Sequence, residues 1–170
     1  LDSLTEGYIN EYLELISGFS SIKTAKHSFI ISKISRSLKE VVAHLAEEFA
    51  QSDFKPVSCE LEIGNNGIPL EFPYNNGKLV INGSIDRVDE YNGYIRVIDY
   101  KTGSKKFKLP DVLFGLNIQM LLYLYAVTKN QNNMAAGILY MPSKRDLNDE
   151  GMAMNGLILA DMDIVTAMEK

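Results

Sequence analysis

The stretch Asn82–Lys101, NGSIDRVDEYNGYIRVIDYK, decides the fold. Two runs rich in β-branched and aromatic residues flank Asn92-Gly93, a dipeptide that suits the two-residue turn of a β-hairpin. With that pair as the loop, Tyr91 faces Tyr94 and opposed residue numbers sum to 185 along the ladder, which sets Asp86 opposite Asp99. Side chains alternate across a strand, so Lys101 projects from the same face as Asp99. On the other face Ile85 meets Tyr100, Arg87 meets Ile98, and Asp89 opposes Arg96 as an ordinary cross-strand ion pair. Directly opposed side chains stand about 4.5–5.5 Å apart at Cβ, where like charges destabilise. Two carboxylates placed so, with a lysine beside them, are either solvated or in use. A divalent metal would use them, because it offsets the repulsion and takes oxygen ligands.

Downstream of the hairpin, Thr102-Gly103-Ser104 breaks the strand and a loop carrying Lys105, Lys106 and Lys108 runs to Pro110. That loop is either a solvated basic segment or an anion-binding one beside the aspartates. Residues Val112–Val127 are apolar nearly all round, which predicts a helix buried against a sheet, with Gln119 and Tyr123 sharing one face at i,i+4. Met134–Met141 and Gly156–Ala160 read as strands, and Asp161 can cap a helix that begins at Met162.

Upstream, Leu4 to Gly18 and Thr24 to Gln51 repeat apolar residues at helical spacing, the second with a polar face of Lys33, Arg36, Lys39, Glu40, Glu47 and Glu48 and a kink near its serines. Both histidines, His27 and His44, lie there without partners at ligand spacing. Pro56 ends this region. Val57–Ile63 and Ile68–Phe72 then read as an antiparallel pair about Asn65-Asn66-Gly67, and Lys78–Asp89 as one long strand with Gly83 marking a bend or bulge. Helices, a run of strands, then helix, strand, strand and helix give a mixed sheet covered by helices, α/β or α+β in class.

The chain of 170 residues suits one domain, residues 1–170, with a helical part over 1–53 and a core over 54–170. Nothing resembles a transmembrane span or a signal segment, so a soluble, cytoplasmic protein without membrane contact is expected. A start at Leu1 and an end inside a helical pattern suggest a piece of something longer. The single cysteine, Cys59, leaves no internal disulfide and no iron–sulfur cluster made by this chain alone. A net charge of −5 argues against gripping nucleic acid by overall charge and leaves the lysine cluster as a local exception.

The hairpin's residues suit phosphodiester hydrolysis. Mg²⁺ typically takes one or two protein carboxylates and keeps several waters, and Asp86 and Asp99 supply that number. Lys101 can orient a water or stabilise charge in the transition state, and the Tyr100 carbonyl lies close by. These residues also carry a resemblance. Gly83-Ser84-Ile85-Asp86-Arg87-Val88-Asp89 resembles the GxxDRxD motif of RecB-family nucleases, within the PD-(D/E)XK superfamily. Val97-Ile98-Asp99-Tyr100-Lys101-Thr102-Gly103 resembles that family's hDYKTG motif, and Gln119 to Tyr123 its QxxxY motif. Phe54-Lys55-Pro56 followed by Glu60 is similar to the FxPxxxE segment in B subunits of AddAB/RexAB-type helicase–nucleases.

The resemblance implies a restriction-endonuclease-like core of a central mixed sheet flanked by helices. It implies Asp86, Asp99 and the Tyr100 carbonyl as ligands of Mg²⁺ (or Mn²⁺), with Asp86, Asp99 and Lys101 catalytic. Glu60, Gln119, Tyr123, Lys105 and Lys106 would be auxiliary or DNA-binding. The expected activity is that of a deoxyribonuclease on DNA, single-stranded by expectation, with a partner helicase–nuclease subunit in double-strand-break repair and recombination. Neither His27 nor His44 has the GxxxH context of the family's early-helix histidine. The alternatives are a CRISPR-associated or phage nuclease with the same core, or a catalytically silent DNA-binding or subunit-docking scaffold.

Overall fold

A computed structural model describes residues 2–17, 25–102, 107–143 and 152–169. The hairpin forms as the Asn-Gly turn dictates: β4 (Gly83–Tyr91) and β5 (Tyr94–Lys101) pair antiparallel, with Tyr91 facing Tyr94, Asp89 facing Arg96 and Arg87 facing Ile98. Asn92 and Gly93 both take positive φ, 48° and 81°, and the Gly93 N–H donates to Glu90 Oε1 at 2.6 Å. The hairpin lies inside a five-stranded sheet of order β1-β4-β5-β6-β7, in which β1 (Lys55–Ile63) and β7 (Asn155–Ile158) are the edges. β6 (Met134–Pro142) runs parallel to β5, the one parallel pairing of the sheet, and the other neighbours are antiparallel. A parallel pair needs a crossover, and helix α4 (Gln119–Gln131) supplies it, packed on β5 and β6.

The chain thus has a mixed sheet with helices on both faces, the α+β architecture expected of it. On the α4 face, Ile63, Ile85, Val88, Ile95, Val97 and Ile138 pack with Met120, Tyr123, Leu124 and Val127. The opposite face is covered by α2 (Ala25–Gln51), whose Leu45 packs on Ile98, Leu139 and Met141, and by α5 (Met162–Met168), whose Ile164 and Ala167 pack on Phe54 and Ala136. Asp161 caps α5 by accepting from the Asp163 N–H at 2.9 Å. α1 (Asp2–Ser17) lies against α2 with a Glu6–Lys39 ion pair, and α2 is one unbroken helix across its serines. Among the described residues no helix is long and apolar enough to cross a membrane.

Three expectations of local structure change. The strand after Asn65-Asn66-Gly67 does not fold back on β1; Ile63 and Ile68 form only an isolated parallel bridge, and β1 pairs with β4 instead. The return segment becomes β2 (Glu71–Tyr74), paired with β3 (Gly77–Val80) in a separate two-stranded sheet, so the long strand expected over 78–89 is divided at Ile81-Asn82. The Asn82 side chain explains the break, since its Oδ1 accepts the Asn65 N–H at 2.9 Å and ties the bend to the neighbouring turn. Finally, the helix expected over 112–127 is two. α3 (Leu109–Leu113) stops where Gly115 and Asn117 adopt φ of 76° and 55°, and α4 begins at Gln119. Left-handed residues cannot continue a right-handed helix, so Leu113, Phe114 and Leu116 are exposed rather than buried.

Candidate functional site

The site lies at the end of the hairpin away from its turn, and it departs there from simple strand pairing. The predicted register holds from Tyr91/Tyr94 to Arg87/Ile98 and stops. Asp86 and Asp99 are therefore not a paired rung, contrary to expectation. By the alternation of bonded pairs from the turn, the Tyr100 N–H would next meet a carbonyl of β4. Instead it donates to Asp86 Oδ2 at 2.8 Å. A carboxylate has replaced a backbone carbonyl as acceptor, so Asp86 is held in the plane between the strands.

The facing of side chains changes at the same point. Ile85 packs on the α4 side with Val88, whereas Arg87 points to the α2 side, so odd-numbered positions exchange faces across Asp86. The pairing of Ile85 with Tyr100 on the far face is corrected accordingly. On β1, Cys59 pairs with Arg87 and Leu61 with Ile85, and Glu60 between them has φ of 50°. A left-handed residue there lets the edge strand make the same exchange. Glu60 is exposed on that edge, across from Asp86 by count.

On β5, the Lys101 ammonium is ion-paired with Asp99 Oδ2. Asp99 is mostly buried and Lys101 about one-third exposed, so the pair sits at the rim of the sheet. Two residues of β6 and its end that sequence reasoning missed complete its surroundings. Tyr140 is the parallel partner of Asp99 and lies beneath Lys101, whose Nζ is 5.9 Å from the ring centroid. Burial raises the Tyr140 phenol above its ordinary range; Asp99 pushes it further up and Lys101 partly opposes. Ser143 fixes the Lys101 backbone, its N–H and hydroxyl both donating to the Lys101 carbonyl at 2.8 and 3.1 Å. The run Met134–Met141 announces a buried strand, but no sequence signal says that it lies beside β5.

Gln119 and Tyr123 come together as the helical spacing predicts, Gln119 Nε2 donating to the Tyr123 hydroxyl at 2.8 Å. They line a groove of about 480 Å³ with Ile81, Asn82, Asn117, Ile118 and Leu122. Gly83 of β4 backs onto the same tyrosine. Lys105 and Lys106 lie outside the described residues. His44 is partly buried on α2.

Beneath the hairpin, the expected ordinary Asp89–Arg96 pair is part of a buried, charge-balanced group. Arg87 donates to Glu48 Oε2 at 3.0 Å and to Asp89 Oδ2 at 3.0 Å, with its Nε 2.9 Å from Asp89 Oδ1. Arg96 donates to Asp89 Oδ2 from Nε at 2.9 Å and also meets Glu48 Oε1. The guanidinium groups lie over the Phe49 and Phe54 rings, each at 4.9 Å. Burial alone would lower the Arg87 pKa, but Asp89 and Glu48 outweigh it and the net shift is upward. Glu48, expected on the solvent face of α2, is buried because two arginines of the sheet await it. Arg87 also reaches toward the site, donating to the Tyr100 hydroxyl at 3.1 Å.

Among the described residues no group of three or more His, Cys, Asp or Glu side chains is arranged to hold a metal by itself. The available donors are oxygens, namely the Asp86 and Asp99 carboxylates with the backbone of Tyr100 between them. Such a set suits a hard cation that keeps water ligands and does not suit a thiolate- or imidazole-seeking one.

The sequence as a whole is also similar to known proteins. The sequence profile of the PD-(D/E)XK nuclease superfamily matches residues 5–164. The chain is 37% identical over 173 residues to the B subunit of an ATP-dependent helicase/deoxyribonuclease of Clostridium acetobutylicum, covering 85% of this chain and 15% of the relative. B subunits of the same name from Acetivibrio thermocellus and Clostridioides difficile are 32% and 30% identical, each over 95% of this chain and 17% and 16% of the relative. The chain therefore spans about one-sixth of the length of the curated relatives it matches.

Proposed function

This chain belongs to the PD-(D/E)XK nuclease superfamily, and on that premise we propose that it is a cation-dependent deoxyribonuclease domain whose working residues are Asp86, Asp99 and Lys101. The observation that carries the reading is the Asp86 carboxylate, anchored on the Tyr100 N–H, next to an Asp99–Lys101 ion pair at the same rim. Asp86, Asp99 and the Tyr100 carbonyl would hold Mg²⁺ or Mn²⁺, with water and a DNA phosphate as the remaining ligands. When bound, the cation supplies a more acidic water and polarises the phosphoryl oxygen.

The protein's own groups do the rest. Lys101, positioned through Ser143, presents an ammonium to the water or to the phosphate, where charge builds in the transition state. Gln119 and Tyr123 offer an amide and a phenol from the groove, and the DNA strand would run past them. Glu60 on the edge strand, and Lys105 and Lys106, would assist from the flanks as an auxiliary acid and phosphate contacts. Residues 54–170 would form the nuclease core and residues 1–53 its helical part.

The names of the relatives support a place for this domain in the B subunit of a helicase–nuclease. Its substrate would then be single-stranded DNA delivered by the helicase in the cytoplasm, during double-strand-break repair and recombination. The test is incubation with labelled single-stranded DNA and Mg²⁺ or Mn²⁺, beside Asp99→Ala. Cleavage that disappears in the variant is expected. Cleavage retained after both acids are changed to asparagine would overturn the assignment, and binding without cleavage would favour a silent DNA-binding scaffold.

A further inference from the structure

Residue 100 joins two systems that are otherwise on opposite sides of the sheet. Its N–H holds Asp86 Oδ2 at 2.8 Å, and its hydroxyl accepts from Arg87 Nη1 at 3.1 Å. Arg87 has little freedom of its own: it is 1% exposed, bonded to Glu48 and Asp89, and stacked over Phe49. Tyr100 is therefore held at its ring by the buried charge group and at its backbone by the site.

We infer that Arg87 and the Tyr100 hydroxyl are positioning groups, fixing the backbone of residue 100 and thereby the orientation of Asp86 toward a divalent cation. The geometry gives this meaning to the arginine that follows Asp86 in sequence. Arg87 points to the α2 side, into the buried group with Glu48 and Asp89, and it reaches the site through the Tyr100 hydroxyl of the partner strand. Glu48 makes α2 part of the same support, because it holds the Arg87 nitrogen Nη2 at 3.0 Å. Outer groups that orient metal ligands typically change cation affinity or activity by about 10–100-fold when removed. The inference rests on the proposed nuclease site for the location of the cation, and on nothing else in that proposal.

The test measures Mn²⁺ binding to the purified chain by calorimetry, together with thermal unfolding and DNA cleavage. Tyr100→Phe removes one hydroxyl and leaves the N–H that holds Asp86. It is expected to weaken Mn²⁺ binding about tenfold, with cleavage restored at saturating Mn²⁺ and little change in Tm. Ile164→Ala is the control: Ile164 of α5 is buried with Phe54 and Ala136, near Tyr91 and Tyr94 at the turn end of the hairpin, and is not a member of the charge group. It should lower Tm and leave Mn²⁺ affinity as it was. Unchanged affinity in Tyr100→Phe, an equal loss in Ile164→Ala, or wild-type binding that is absent or indifferent to Asp86→Asn would each overturn the inference. A protein that binds Mn²⁺ through Asp86 yet never cuts DNA would instead sink the nuclease reading, while the affinities still decide the positioning role.

Discussion

Gly83 leaves room for the hydroxyl of Tyr123: a Cβ built on residue 83 would lie 1.8 Å from that oxygen and 2.7 Å from Cζ. The glycine that opens β4 and the tyrosine of α4 are thus fitted to each other where helix meets sheet. Gly83→Ala must push Tyr123 out of line with Gln119 or shift the helix. A cost of about 1–3 kcal/mol is expected, typical of overpacking. A double-mutant cycle with Tyr123→Phe, followed by denaturant unfolding, should reveal coupling because the two positions share one clash. Simple additivity would mean that the strand relaxes away from the helix.

Glu48→Ala should be among the most destabilising single changes in the chain. It leaves Arg87 and Arg96 buried with Asp89 as the one remaining acid of the group, and uncompensated buried charge costs about 3–5 kcal/mol when one partner is removed. The check is urea unfolding at neutral pH beside Glu47→Ala, whose exposed side chain makes it a fair control on the same helix turn. Surface changes of that kind usually lie within about 0.5 kcal/mol.

How far the sequence could be read depended on how local each determinant is. The Asn-Gly turn fixes a register by itself, so the rungs from Tyr91/Tyr94 to Arg87/Ile98 can be counted in advance. The next rung cannot, because Asp86 competes with the backbone for the Tyr100 N–H and Glu60 takes a left-handed conformation. Tyr140 and Ser143 depend on which strand lies next to β5, a tertiary fact that the composition of β6 does not encode. Glu48 lands on the wrong face of the periodic pattern for a related reason: helical periodicity separates apolar from polar positions but cannot see arginines waiting across the interface. The i,i+4 relation of Gln119 and Tyr123 survives even though their helix begins later than its apolar pattern does.

The turn between α3 and α4 should separate conformational strain from packing. Gly115 has φ of 76°, and no heavy atom lies within 4 Å of a Cβ built there. Gly115→Ala should therefore cost about 1 kcal/mol through backbone strain alone. Phe114, which is 84% exposed, should tolerate Phe114→Ser with a stability change within about 0.5 kcal/mol. Thermal unfolding of the two variants gives the comparison, and a larger loss for Phe114→Ser would mean that its ring is covered in the folded protein.

Tyr140 reports the charge balance of the site without any cation or DNA. Burial raises its phenol, Asp99 adds to the rise, and Lys101 lowers it. Asp99→Asn should therefore bring the phenolate transition down toward the ordinary value near 10, whereas Lys101→Ala should move it further up. Tyr100 is raised as well, first by burial, with Arg87 opposing. The sign for stability follows from the folded state holding these protons more tightly than the unfolded chain. The contribution of both phenols is complete below the unfolded pKa near 10 and is lost as pH rises through their higher folded values. Ultraviolet difference titration of the wild type, Tyr140→Phe and the two charge variants resolves the transitions. Opposite shifts for Asp99→Asn and Lys101→Ala are the expected result; shifts in the same direction would mean that Lys101 and Asp99 do not face Tyr140 as a pair.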